Sequence, residues 1–113
     1  MGRPDLTGRR LAIIVSTAPE RGDFERVERL ARSARARQVE VGIFLMGDAV
    51  VWAAHERTSL LVNEDGCDVF VCGTNASKQG VAFAAAVVAG VVEGSQDDHA
   101  ALVHRADRVV AFT

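Results

Sequence analysis

Two residues of this 113-residue chain stand where side chains do chemistry, Cys72 and Lys78. Cys72 closes the apolar run Val69-Phe70-Val71 and opens the polar stretch from Gly73 to Gly80, which an apolar segment follows. A buried strand ending in a thiol, then a polar loop, then a helix is an arrangement that presents a nucleophile. Lys78 is the only lysine in the chain and lies six residues after the thiol. A helix N-terminus near Cys72 would favour the thiolate by roughly 0.3–1 kcal/mol. An ammonium folding back over the loop would lower the thiol pKa further. Position alone leaves equally open a second reading, a small buried hydrophobe at a strand end.

Other chemistries fit less well. Cys67 lies five positions before Cys72 on the same expected strand, so the two side chains point to opposite faces. Five residues at about 3.3 Å each also span far more than the roughly 4.4–6.8 Å between α-carbons that a disulfide accepts. Cys67 therefore reads as structural. A cysteine-phosphatase loop needs an arginine fork, which Lys78 does not provide. The glycine spacing of a P-loop is missing. A receiver domain would carry an aspartate in place of Cys72, and Ser16-Thr17-Ala18-Pro19-Glu20-Arg21 is a faint match to a flavin loop. His55, His99 and His104 have no metal-ligand spacing, so neither a metal nor a cofactor is expected. Trp52 reads as packing.

The elements that must position Cys72 alternate in type. Leu11–Val15, Val39–Met46, Asp68–Cys72, a short run near Val91–Glu93 and Arg108–Phe112 read as strands. Continuous apolar, β-branched runs are the mark of strands covered on both faces. Phe24, Val27, Leu30, Ala31 and Ala34 recur at helical spacing between about Gly22 and Gln38. Asp48 reads as the N-cap of a short helix through Trp52 and Ala54, and Ser59–Val62 as a weaker helical turn. Val81–Ala89 is an apolar helix that needs covering all round. Ser95-Gln96-Asp97-Asp98 has the form of a capping box with Asp replacing the usual Glu, opening a last helix. Strands alternating with helices imply a parallel sheet with right-handed crossovers and helices on both faces. Ligands then gather at the carboxyl ends of the strands, in the loops Ser16–Gly22, Gly47–Ala49 and Cys72–Gly80. Residues 1–10 read as a polar tail and 11–113 as a single α/β domain.

Composition narrows the function further. Apolar residues make up 49% and charged residues 25%, proportions that fit a folded domain with a solvated surface. A formal net charge of −2 argues against a dedicated nucleic-acid binder. The arginines at 21, 26, 29, 32, 35 and 37 are interleaved at first with acids, as on a solvated helix face. The longest apolar run is about a dozen residues against the roughly 20 needed to span a bilayer, and no segment resembles a secretory signal. Two cysteines in such a chain imply free thiols and a cytoplasmic setting. The apolar Val81–Ala89 helix leaves surface for a subunit interface, so a homo-oligomer is expected.

Several of these pieces together resemble the DsrE/TusD/YchN-like family of sulfur-relay proteins over almost the whole chain. They are Phe44-Leu45-Met46-Gly47-Asp48-Ala49-Val50, Val71-Cys72 with Gly80-Val81 eight residues beyond the cysteine, Gly94-Ser95, and Ala106-Asp107-Arg108-Val109-Val110-Ala111-Phe112. The resemblance implies a three-layer α/β/α sandwich with a mainly parallel five-stranded sheet, assembled as a trimer or hexamer. It also implies that a loop cysteine takes sulfur as a persulfide and passes it to a partner. Carried over, that cysteine is Cys72, and the basic residue near the end of the loop is Lys78. Asn75 stands where some members have a second cysteine, and Gln79 where a second basic residue can precede the loop glycine. The stretch between Trp52 and Gly66 is short. Any chemistry is then that of a single thiol.

The sequence thus reads as a sulfur carrier or sulfurtransferase-like protein with sulfur-donor and sulfur-acceptor protein partners. Cys72 would bear the persulfide. Gly73, Thr74, Asn75, Ser77, Lys78 and Asp48 would form the surrounding binding site. The alternative is a non-catalytic member of the fold that holds a small anion or a partner protein, or that serves only in assembly.

Overall fold

The computed structural model describes residues 5–81 and 88–113. Five strands, β1 (Arg10–Val15), β2 (Glu40–Leu45), β3 (Cys67–Cys72), β4 (Val92–Gly94) and β5 (Arg108–Phe112), form one sheet in the order β4-β3-β2-β1-β5. Every described pairing is parallel. Helix α1 (Asp23–Ala36) joins β1 to β2, and a 3-10 helix (Gly47–Ala54) with α2 (Thr58–Val62) joins β2 to β3. Helix α3 (Gly73–Lys78) comes directly after β3, and α4 (Gln96–Arg105) carries the chain from β4 to β5. The chain steps from β1 to β4 in one direction and then returns across the sheet to β5. With right-handed crossovers that reversal sets α4 on the face opposite α1.

Side-chain alternation along the strands divides the core accordingly. Leu11, Ile13 and Val15 of β1, Val41, Ile43 and Leu45 of β2, and Cys67, Val69 and Val71 of β3 face α1, the 3-10 helix and α2. They meet Phe24, Val27 and Ala31 of α1, and Ala49, Val50, Ala53 and Leu61 beyond. Trp52 is stacked on Phe24 with ring centroids 3.9 Å apart, the packing role expected of it. Among the described residues the second face is thinner. Ile14, Phe44 and Cys72 pack there with Phe70, Met46 and the α4 residues Leu102 and Val103. Helix α4 comes so close that a Cβ on Gly42 would run into Leu102. The sheet is therefore sandwiched, as an α/β/α architecture requires, and among the described residues α4 is the helix that covers the second face. Val92 and Val109, 49% and 44% exposed, are register partners of Phe70 and Ala12 and so lie on this second face.

Two local expectations need correction. Asp48 is not an N-cap: that position belongs to Met46, with no side-chain cap, and Asp48 lies inside the first turn. Its carboxylate instead accepts a hydrogen bond from Gln79 Nε2 at 3.0 Å. The stretch after Cys72 is not an open loop, because α3 begins at Gly73, with Cys72 itself as N-cap. Gly-Thr-Asn-Ala-Ser-Lys is a poor helix former. Tertiary contacts hold it: Ala76 is buried, and Asn75 Oδ1 accepts from the Gly47 N–H at 2.8 Å. The helix ends at Lys78 with Gln79 as its C-cap, and Gly80 just beyond has a φ of 75°, the left-handed conformation glycine adopts most easily. Most of the expected helix Val81–Ala89, residues 82–87, lies outside the described residues. Its described ends, Val81, Val88 and Ala89, are not helical. The capping box does form, with Ser95 and Asp98 bonding reciprocally at the start of α4. Among the described residues no helix is long and apolar enough to cross a membrane.

Candidate functional site

Cys72 ends β3 at the carboxyl edge of the sheet, and parallel pairing sets it beside Gly94 of β4. The residues immediately after β4 therefore land next to the thiol: Ser95, which caps α4, and Gln96, the first residue of that helix. Gln96 Nε2 donates a hydrogen bond to Cys72 Sγ at 3.7 Å, a normal reach for sulfur. Gln96 Oε1 lies 3.2 Å from His99 Nδ1. An amide oxygen only accepts, so the His99 Nδ1 in this contact carries the proton. The His99 ring is stacked on Phe44, centroids 5.1 Å apart and planes 24° from parallel. Phe44 is fully buried.

A cleft of about 480 Å³ opens here, lined by Cys72, Gly73, Thr74, Asn75, Glu93, Gly94, Ser95, Gln96 and Asp98. Its walls approach closely at the two glycines. A Cβ on Gly73 would strike the Glu93 carboxylate, and one on Gly94 would sit 3.1 Å from Phe44. Cys72 forms part of the cleft wall, yet the residue as a whole is only 3% exposed. Glu93 and Asp98 are the charged side chains of the lining, and no basic side chain joins them.

Of the residues expected at the site, Cys72, Gly73, Thr74 and Asn75 line the cleft together. Asn75 also fastens α3 to the turn after β2 through Gly47. Lys78 is exposed in the last turn of α3. At about 1.5 Å of rise per residue it is roughly 9 Å along the helix from the thiol, and it is not part of the cleft. Ser77 is exposed and also lies outside the lining. Asp48 is held by Gln79 on the α3 side of the neighbouring turn.

Glu93, Ser95, Gln96, Asp98 and His99 were not legible as site residues. A usable signal was nevertheless present. In a parallel sheet, the residues just after the strand that pairs next to the cysteine's strand must reach the same edge, which makes Gly94-Ser95-Gln96 neighbours of Cys72. His99 falls on the packed side of α4, against Phe44. Its Nδ1 contacts Gln96, which lines the cleft.

Cys67 contrasts with Cys72. It is buried in the first-face core, and both cysteines are free thiols. Burial, reinforced by the charges of Asp68 and Glu64 and opposed by Arg35, pushes the Cys67 thiol up to about 11. At neutral pH it stays protonated and is a poor nucleophile. The five-residue spacing puts the two sulfurs on opposite faces of the sheet, as alternation requires. Among the described residues no group of three or more His, Cys, Asp or Glu is placed to hold a metal ion.

Comparison with known proteins agrees with this architecture. The profile of the DsrE/DsrF-like family matches residues 9–112. The crystal structure of the YchN protein from E. coli superposes with a TM-score of 0.79 at 19% sequence identity, covering 92% of this chain and 99% of that one. No curated protein matches the sequence.

Proposed function

Because the chain belongs to the DsrE/DsrF-like family, a family linked to sulfur relay, we propose that it carries sulfur as a persulfide on Cys72. The observation that carries this reading is the placement of Cys72 in the wall of a cleft at the carboxyl edge of the sheet, under an amide donor from Gln96. The Cys72 thiolate attacks the terminal sulfur of a donor persulfide. The donor's S–S bond breaks, the donor leaves as a thiolate, and Cys72 holds the S–S–H group. An acceptor thiolate then attacks that terminal sulfur and returns Cys72 to the thiolate. No external oxidant or reductant is needed, because each step exchanges one S–S bond for another. An N–H donor at the sulfur favours the anionic form on both sides of the exchange. The amides of the first turn of α3, which have no partner within that helix, face the same end. With Cys67 on the opposite face, the relay uses one thiol only.

Donor and acceptor are protein partners in this reading, and two free thiols are consistent with a reducing cytoplasm. A homo-oligomer, trimer or hexamer, also belongs to it. The exposed Val92 and Val109 on the second face support a subunit interface there. The test of the relay is mass spectrometry after incubation with a small-molecule persulfide. The expected result is a gain of one sulfur atom by the wild-type chain and none by Cys72→Ser.

One observation favours a second reading. A cysteine residue only 3% exposed suits a non-catalytic protein that binds a partner at this edge. The small-anion form of that alternative is opposed by the carboxylates of Glu93 and Asp98 in the cleft and by the position of Lys78 outside it. A chain that takes up no sulfur and binds its partner equally well as Cys72→Ser would establish the second reading.

A further inference from the structure

We propose that His99 is a positioning residue for the Cys72 thiol, acting through the side-chain amide of Gln96. The inference deepens the relay reading and rests on it for its biological meaning, although its physical content concerns only the reactivity of the thiol.

The two ends of a glutamine amide are chemically opposite. Its NH₂ stabilises an anionic sulfur, whereas its carbonyl oxygen would repel one. A glutamine at the first position of a helix is free to present either end. Here the choice is made by His99, one helical turn later. Its Nδ1–H can donate only to an acceptor, and Gln96 Oε1 lies 3.2 Å away. That contact fixes the amide with Nε2 towards Cys72 Sγ, 3.7 Å distant. The ring is itself held in place by stacking on Phe44, which is fully buried and abuts Gly94, the register partner of Cys72. A continuous path of contacts thus runs from the sheet core through Phe44, His99 and Gln96 to the sulfur.

The surroundings make that donor matter. Glu93 of β4 and Asp98 of α4 bring negative charge to the cleft, while α3 contributes the neutral Thr74 and Asn75. Among the described residues, Gln96 is the one side chain that donates a hydrogen bond to the sulfur. Turning its carbonyl to the thiol would add a third repulsive group. A surface pair at i and i+3 contributes little to folding, so the His99–Gln96 contact is expected to show in the reactivity of the thiol rather than in stability.

The experiment is the rate of alkylation of Cys72 by iodoacetamide as a function of pH, tracked on the Cys72 peptide by mass spectrometry in the full chain. His99→Phe keeps a ring over Phe44 and removes the donor. His99→Asn restores an N–H close to the Nδ1 position. We expect His99→Phe to slow alkylation at neutral pH by about three- to tenfold, the scale of one hydrogen bond to a charged group in a partly exposed site, and to move the pH midpoint upward. Gln96→Leu should do the same, the double variant should lose no more than either alone, and His99→Asn should recover much of the wild-type profile. A His99→Phe profile that overlays the wild type would overturn the proposal, as would losses that simply add in the double variant. Thermal melts establish that the variants are folded. If His99→Phe is not, His99→Asn compared with His99→Leu decides the question in its place. Alkylation requires no sulfur donor, so a shifted profile in a chain that accepts no sulfur would refute the relay and leave the positioning role standing.

Discussion

At the scale of the residue, one thiol is set in an acidic cleft and met by an amide. This has a consequence for the kind of donor that Cys72 can use. A free dianion such as thiosulfate must approach Glu93 and Asp98, whereas a persulfide on a partner protein brings no more than a single negative charge on its sulfur. Transfer from a persulfide should therefore be faster than transfer from thiosulfate. Glu93→Gln should raise the thiosulfate rate by about two- to fivefold, and more at low ionic strength. A thiosulfate rate indifferent to both Glu93 and salt would show that the cleft charge does not act on the donor. Cys72 was legible in the sequence because a thiol closing an apolar run must sit at a strand end. The role of Lys78 was inferred from its nearness along the chain. The helix that forms between the two residues instead carries the ammonium away from the sulfur.

At the scale of the element, α4 does most of the positioning, since it brings both Gln96 and His99 to the thiol. Its seat on the sheet depends on Gly42, where any side chain would meet Leu102. Gly42→Val should cost about 1–3 kcal/mol of stability, as overpacking usually does. Leu102→Ala in the same chain should recover part of that loss, because the two sites are coupled. Denaturant melts of the four chains test this, and strictly additive losses would argue against the contact. The far end of α4 is tied down by Asp107. Its carboxylate accepts from the Arg10 N–H at 2.8 Å and pairs with Arg9. The hydrogen bond from Arg10, then the arginine charges, hold Asp107 below the ordinary carboxylate value of 3.8. A depressed folded-state pKa stabilises the fold above the unfolded value, and that stabilisation is lost as pH falls through 3.8 and then through the lower folded value. Asp107→Asn should therefore flatten the acid side of the stability profile below about pH 4 while leaving its shape near neutrality unchanged. An unaltered acid limb would count against this tie. The capping box of α4 was readable because its signal is local. The short helix through Trp52 and Ala54 was readable as well, apart from its cap, whereas α3 was not, because it is held by bonds between segments distant in sequence, Asn75 to Gly47 and Gln79 to Asp48.

At the scale of the whole molecule, the sheet explains how much could be read from the chain. Runs such as Leu11–Val15 and Val41–Leu45 are apolar throughout because both faces of a central strand are covered. Their alternation with amphipathic segments leaves few architectures open. The strand order is another matter: it arises from the return of the chain across the sheet through α4. The pairing of β4 beside β3 brings residues 93–99 to a cysteine more than twenty positions earlier, a meeting that follows from the strand order and not from any local pattern. Among the described residues the second face, which α4 covers, leaves Val92 and Val109 exposed. Light scattering coupled to size exclusion should find an assembly of three or six chains of 12.1 kDa. A clean monomer would contradict self-association, and Val92→Lys should weaken the assembly if this face is the contact.

The central claim, that Cys72 is a single-thiol sulfur carrier, is tested most directly by locating sulfur on the chain. After brief exposure to a persulfide donor and removal of the excess, peptide mapping should find the added sulfur on the Cys72 peptide and none on the Cys67 peptide. A Cys72 peptide of unchanged mass, or sulfur divided equally between the two cysteines, would contradict that claim.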